Sequence, residues 1–360
     1  MPVPIKVLIS LLLGVMGGSA AMAFVIQSPT GQHFQDVTWE DMRARRSVNE
    51  RLLALTDGGD ALPAAEARVS LLAVGDVMLS RMVGSRMLEN GYDYPFEKVA
   101  DELHAAAITF GNLESPIIAG RPIESGEMVF RADPEVAPVL ADVGFDVVSL
   151  ANNHIKNFGQ DGLAETLRLL DEQGVKHVGA GLSPAEARSP AIIERSGLKF
   201  GFLAYTYDST AIENGPVPLD IELMKEDVAG LRPEVDFVIV SMHAGAEYQP
   251  RPGNRQITFA HAAIDAGAEV VIGHHPHVVQ TAEIYEGKYI FYSLGNFVFD
   301  QMWSWDTRRG LGVRLVFTKD GVRTANYLPV IIDDYAQPRP ANNREAQLII
   351  DRLDLPRDSD

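Results

Sequence analysis

The chain has no cysteine and is poor in positive charge: 31 lysines and arginines face 49 aspartates and glutamates, a formal net charge of −18 over 360 residues. The missing cysteine excludes disulfides, thiol nucleophiles, thiolate zinc sites and lipid attachment at a thiol. Any metal must therefore be held by His, Asp, Glu, Asn or water. No stretch is dense in lysine or arginine, which argues against a nucleic-acid partner. The overall field repels anions, so a polyanionic substrate would have to be held locally, through a cation or a few arginines. Internal repeats and low-complexity tracts are also missing. With 46% hydrophobic residues the chain is expected to bury a sizeable core.

Charged side chains are absent from Val7 to Gln35. Lys6, the apolar run Val7–Met16, the small residues Gly17–Ala21 and the triplet Ala21-Met22-Ala23 form a secretory signal pattern. The stretch from Val7 to Ile26 is also long enough for an uncleaved membrane anchor. Residues 1–27 are thus expected to be a signal peptide or anchor, which makes the chain extracytoplasmic: secreted, periplasmic or tethered to the membrane. Residues 28–67 are expected to be a tether, with a short helix near Trp39–Leu55, and 336–360 a tail broken at Gln337-Pro338-Arg339-Pro340 with one helix over Arg344–Leu353.

Between these ends, short apolar runs bounded by Gly, Asp or Asn predict buried strands at Val69–Val74, Ile108–Phe110, Val147–Leu150, Phe237–Met242 and Val270–Ile272. Helical patterns at Gly162–Gln173 and Gln256–Ala266 separate some of them, which indicates βαβ units and a largely parallel sheet. Hairpins are predicted around Ser196-Gly197, Glu286-Gly287-Lys288 and Lys319-Asp320-Gly321. The mixture predicts an α/β fold of two stacked mixed sheets flanked by helices.

The polar residues cluster at strand ends, where ligands gather in open α/β sheets. Successive strands end in Asp76, in Asn112 and Glu114, in Asn152-Asn153-His154, in His243 with Glu247 four residues on, and in His274-His275-Pro276-His277. Singly, such residues serve equally well as caps, turns or core histidines. Together they describe one site whose oxygen and imidazole donors suit Zn²⁺, Mn²⁺, Fe or Co better than Ca²⁺. A cation pair there would activate a bridging water and clamp a phosphoryl oxygen, and a neighbouring His could protonate a leaving group.

The segments LLAVGDVMLSR, FGNLESPI, SLANNHIKNFG, VSMHAGAEY, IGHHPHVVQ and YSLGNFVFDQ, in that order, resemble the CapA-type capsule-synthesis family over about Val69 to Tyr335. That family is similar to the calcineurin-like metallophosphoesterases, an α/β/β/α sandwich. The resemblance implies Asp76 as the first metal carboxylate and Asn112 or Glu114 in the place of the bridging acid. It implies Asn153, His243, His275 and His277 as further ligands to one or two divalent cations, and His154 as general acid. Asn152, Glu247, His274 and Asn296 would support the site. Independently of the resemblance, Trp303 and Trp305 in the loop after Asn296 are expected either to line a substrate groove with Arg308 and Arg309 or to be exposed linker residues. Two positions depart from the pattern: Met78 stands where the superfamily has a histidine, and Asn157 where the family often has an acid. The implied function is assembly, export, anchoring or trimming of poly-γ-glutamate or a similar anionic polymer, within a membrane synthase complex as catalyst or scaffold. The alternative is an extracytoplasmic metal-dependent hydrolase of phosphoesters or of the polymer's amide bonds.

Overall fold

The structure, a computed structural model, describes residues 67–207 and 215–355 together with the backbone of two strands, Ala23–Ser28 and Gly31–Asp36, which pair as an antiparallel hairpin. Of the segment expected to be a signal peptide or anchor, residues 1–27, only the backbone of its last five residues is described, in the first strand of this hairpin, and the helix expected near Trp39–Leu55 lies outside the described residues. Among the described residues no helix is long and apolar enough to cross a membrane.

From Glu66 onward the chain forms one compact unit. Its principal strands are β1 (Val69–Val77), β2 (Ile108–Leu113), β3 (Val147–Ser149), β4 (Lys176–Val178), β5 (Ala191–Arg195), β6 (Leu198–Thr206), β7 (Phe237–His243), β8 (Val270–His274), β9 (Ala282–Tyr285), β10 (Lys288–Phe291), β11 (Asn296–Val298), β12 (Arg309–Thr318), β13 (Gly321–Asp333) and β14 (Gln337–Pro340). The main helices are α1 (Arg81–Asn90), α2 (Gly159–Gln173), α3 (Ile221–Leu231), α4 (Asn254–Ala266) and α5 (Asn343–Ile350). One sheet runs β14-β13-β12-β1-β2-β3-β4, with β11 also paired to β1, and the other runs β9-β10-β8-β7-β6-β5. The strands β1 to β4 and β6, β7, β8 and β10 pair in parallel, while the three predicted hairpins, β5–β6, β9–β10 and β12–β13, are antiparallel.

Side-chain alternation along each strand divides the core into three layers. Between the sheets, Leu71, Ala73, Phe110 and Val147 meet Phe200, Phe202, Ile239 and Ile272. On the far side of the larger sheet, Leu72 and Val74 pack with Val83, Met87, Leu163 and Leu167 from α1 and α2. Beyond the smaller sheet, Leu203, Val238, Val240 and Met242 pack with Met224, Val228, Phe259 and Ala263 from α3 and α4. The result is the expected α/β/β/α sandwich.

Two local features depart from the sequence reading. The pairing of β1 with β2 shifts register between Ala73 and Asp76, so two residues of β1, Val74 and Gly75, oppose the single Gly111. This bulge reverses the alternation: Asp76 comes opposite Asn112 on the inter-sheet side, and Val77 falls into the helix-side core with Leu113. Gly75 is required there, because a Cβ would lie 1.9 Å from the carbonyl oxygen of Gly295. The second departure is Gln337–Pro340, read from its prolines as a break, which is instead an antiparallel edge strand on β13. An edge position tolerates prolines, which cannot donate to a ladder. The following α5, with Ile349 and Leu353 in the inter-sheet core, is joined to the same unit.

Candidate metal centre

Five strand ends deliver their polar residues to one buried cluster. Asp76, Asn112 and Glu114 are fully buried, and His243, His275 and His277 are nearly so. Asn112 Nδ2 donates to Asp76 Oδ1 at 2.8 Å and to Glu114 Oε2 at 3.2 Å, and lies 3.3 Å from His243 Nδ1. Asn152 supports this group by donating to Asn112 Oδ1 and to the carbonyl of Leu113. Through its amide nitrogen Asn112 thus braces Asp76 and Glu114.

Donor atoms converge in two groups. Asn153 Oδ1 lies 2.8 Å from His243 Nε2, which lies 3.1 Å from His275 Nδ1. Asp76, Glu114 and His277 offer a second set of ligand atoms within 4.8 Å of one another. His275 and His277 reach these positions from a strained turn, with φ of 95° and 57°. Left-handed backbone at such residues costs about 1–3 kcal/mol each and persists only where surroundings hold it.

The electrostatics match a cation site. Burial opposes ionisation of Asp76, but its hydrogen bond to His277 and the nearby His274 outweigh it and hold the carboxyl below its ordinary value. Glu114 moves the other way, raised well above the usual range by burial and by the charge of Asp76. Its Oε1 is buried and has no hydrogen-bond partner. Two adjoining buried carboxyls, one oxygen of them orphaned, are what a divalent cation would neutralise. Burial and the neighbouring imidazoles lower His243 far below its normal range and His275 to about 4. Both rings are therefore neutral at pH 7, as metal ligation requires. The donor set fits a bound divalent metal.

His154 sits beside this group. Its ring stacks on Phe130 at 3.8 Å. Asn157 Oδ1 accepts from the backbone N–H of Phe130 and lies 2.9 Å from His154 Nδ1, so that oxygen must also accept the Nδ1 proton. Nε2 is left with its lone pair, and burial brings the ring down to about 4. In this state His154 is neutral at pH 7 and would have to gain a proton before it could act as the general acid that the resemblance implies.

Asn296 lies within the site, with Oδ1 3.0 Å from His277 Nδ1. Glu247 is exposed at the edge of the cluster, within reach of His275 and His277. His274 does not join the ligands: its Nε2 is 3.1 Å from the carbonyl of Val74 and its Nδ1 is 3.3 Å from Ser241 Oγ. It pins the two sheets together, as its inward parity on β8 dictates. The two arginines expected in a groove are engaged elsewhere. Arg308 stacks over Trp305 and pairs with Asp333, and Arg309 pairs with Asp306. Trp303 is exposed and packs edge-on against Tyr248, whose ring lies 6.2 Å from that of His277. Sequence reading passed over Arg81. Its guanidinium is clamped by Asp300 and lies over Phe130, the ring that also carries His154. Its place at the end of the first motif was the available signal.

A family model described as "Bacterial capsule synthesis protein PGA_cap" matches residues 70–301, the span that contains every ligand candidate. The chain belongs to this bacterial capsule synthesis family. Among its relatives, the PGA biosynthesis protein CapA of Bacillus subtilis (strain 168) is 34% identical over 276 residues, 74% of this chain and 72% of that protein. The capsule biosynthesis protein CapA of Bacillus anthracis is 29% identical over 294 residues, 77% of this chain and 70% of that protein. The 5′-nucleotidase of Candida albicans SC5314 aligns with this family member at a TM-score of 0.44 and 10% identity, over 80% of this chain and 54% of that one. Nothing about this site follows from so loose a likeness.

Proposed function

We propose that the chain serves, outside the cytoplasm, in making or trimming a poly-γ-glutamate-type envelope polymer, and that it does so with a divalent metal held by Asp76, Glu114, Asn153, His243, His275 and His277. The observation that carries this reading is the coincidence of the capsule-synthesis match with the buried donor cluster, since residues 70–301 contain all six. A bound cation would supply Lewis acidity toward an oxygen of the substrate. It would also offset the chain's charge of −18 locally, which an anionic polymer needs in order to approach. The protein's own part is to hold the imidazoles of His243 and His275 neutral and the Asp76 carboxylate ionised, and to keep the donors converged beside His154. Zn²⁺, Mn²⁺ and Fe²⁺ all suit the donors. The N-terminal apolar segment supports the extracytoplasmic assignment, and a membrane synthase complex is the expected setting.

The test is genetic and chemical. Cells deleted for this gene should lose their surface glutamate polymer, measured as the glutamate that acid hydrolysis releases from the isolated polymer. Wild-type protein should restore it, and a His275→Ala, His277→Ala variant should not. Unchanged polymer in the deletion would contradict the proposal. Hydrolysis is the second reading, favoured by the free Nε2 of His154. It predicts metal-dependent cleavage of a nitrophenyl phosphodiester or a γ-glutamyl amide, lost in His154→Asn.

A further inference from the structure

We propose that Glu247 is itself a metal ligand, and that it supplies from the exposed edge of the cluster the donor that Met78 cannot supply from its buried side. The proposal deepens the metal reading above and rests on it. Met78 lies two residues after Asp76, yet its side chain is buried in the helix-side core and its Sδ accepts the backbone N–H of Ser80 at 3.2 Å. That position therefore gives the cation nothing, and Asp76, Glu114 and His277 are left one protein donor short of a four-coordinate site.

Glu247 approaches from the opposite side, on the loop that follows β7. The loop is fastened to the His275–His277 turn at two levels. Tyr248, in a left-handed conformation at φ 63°, donates its backbone N–H to the carbonyl of Pro276 at 2.8 Å. Its phenol accepts from Gln301 Nε2 at 3.3 Å, Gln301 Oε1 accepts from Asn296 Nδ2 at 3.0 Å, and Asn296 Oδ1 faces His277 Nδ1 at 3.0 Å. A backbone bond and a side-chain relay thus fasten Tyr248, the residue next to Glu247, to the Pro276–His277 turn. One of its carboxylate oxygens and one ring nitrogen each of His275 and His277 lie within 4.8 Å of one another.

A second observation points to a cation at the same imidazole. Glu114 Oε1, buried and without a partner, is 3.8 Å from His277 Nε2. The relay assigns the proton of His277 to Nδ1, so Nε2 carries the lone pair. A cation at Nε2 would meet Glu114 from the buried side and Glu247 from the solvent side.

Calorimetric titration of the full-length, metal-stripped chain with Zn²⁺ tests this, beside Glu247→Gln and Glu247→Ala. Both variants alter an exposed side chain and should fold, with melting temperatures in chelator equal to that of the wild type. The expected result is a loss of one equivalent, or an affinity lower by about tenfold or more, in both variants. Identical stoichiometry and affinity in wild type and variants would overturn the role of Glu247 while leaving the metal centre intact. No Zn²⁺ binding by the wild type would overturn the metal centre itself.

Discussion

Asn296 holds His277 in a single tautomer. Its Nδ2 donates to Gln301 Oε1 and to the carbonyl of Thr307, so its Oδ1 is the atom that faces His277 Nδ1 at 3.0 Å. The imidazole must donate there and present Nε2 to the cluster. Outer partners of this kind typically contribute about 10–100-fold to metal affinity. Asn296→Leu is therefore expected to weaken Zn²⁺ binding by about that factor, and Asn296→Asp, which can still accept, to keep most of it. Calorimetric titration of the two variants makes the comparison.

The bulge at Val74–Gly75 gives a second expectation. Gly295 accepts the backbone N–H of Asp76 at 2.9 Å, and its oxygen leaves no room for a Cβ on Gly75. Gly75→Ala must push two backbones apart, at a cost of about 1–3 kcal/mol or more. The variant should melt several degrees lower and bind metal more weakly, since Asp76 moves with the bulge. A variant matching wild type in both would show that the close approach is not needed.

Stability of the metal-free protein should depend on pH. Burial, aided by the Arg81 guanidinium nearby, holds His154 at about 4, and burial does the same for His275. In the unfolded chain both titrate near 6.5. Between about pH 6.5 and 4 the unfolded state therefore binds protons that the folded state does not, and stability falls as pH drops through that window. Melting curves in chelator at pH 7.5, 6 and 5 should show the decline, with a shallower slope for His154→Phe.

The C-terminal segment is expected to be integral to the domain. Ile349 is buried between the sheets, and α5 is started by Asn342, whose side chain accepts from the N–H groups of Arg344 and Glu345. Ile349→Ala should cost about 2–5 kcal/mol. Urea unfolding reads this directly, and a cost near zero would mean that the helix is only loosely docked.

Much of the site was legible because its ligands sit where apolar runs stop, and a run that stops in Asn-Asn-His or His-His-Pro-His has few other uses. The hairpins were legible from their turn residues, Ser196-Gly197 and Glu286-Gly287, whose four φ angles are positive. What escaped depends on distant partners. The bulge that turns Asp76 inward is set by the pairing with β2 and by Gly295. Arg308 and Arg309 looked free until Asp333 and Asp306 were placed beside them. His274 was set apart from the ligands His275 and His277, but its partner, the carbonyl of Val74 on the other sheet, follows only from its parity on β8. The strand at Gln337–Pro340 was hidden because its prolines are harmful only away from an edge.

The central claim is that five strand ends build a metal centre. Its most direct test is elemental analysis of the full-length chain purified without chelators, beside a His275→Ala, His277→Ala variant. The expected result is at least one equivalent of a transition metal in the wild type and little or none in the variant. A wild-type chain that holds no metal, even after incubation with Zn²⁺ and Mn²⁺, would contradict the claim.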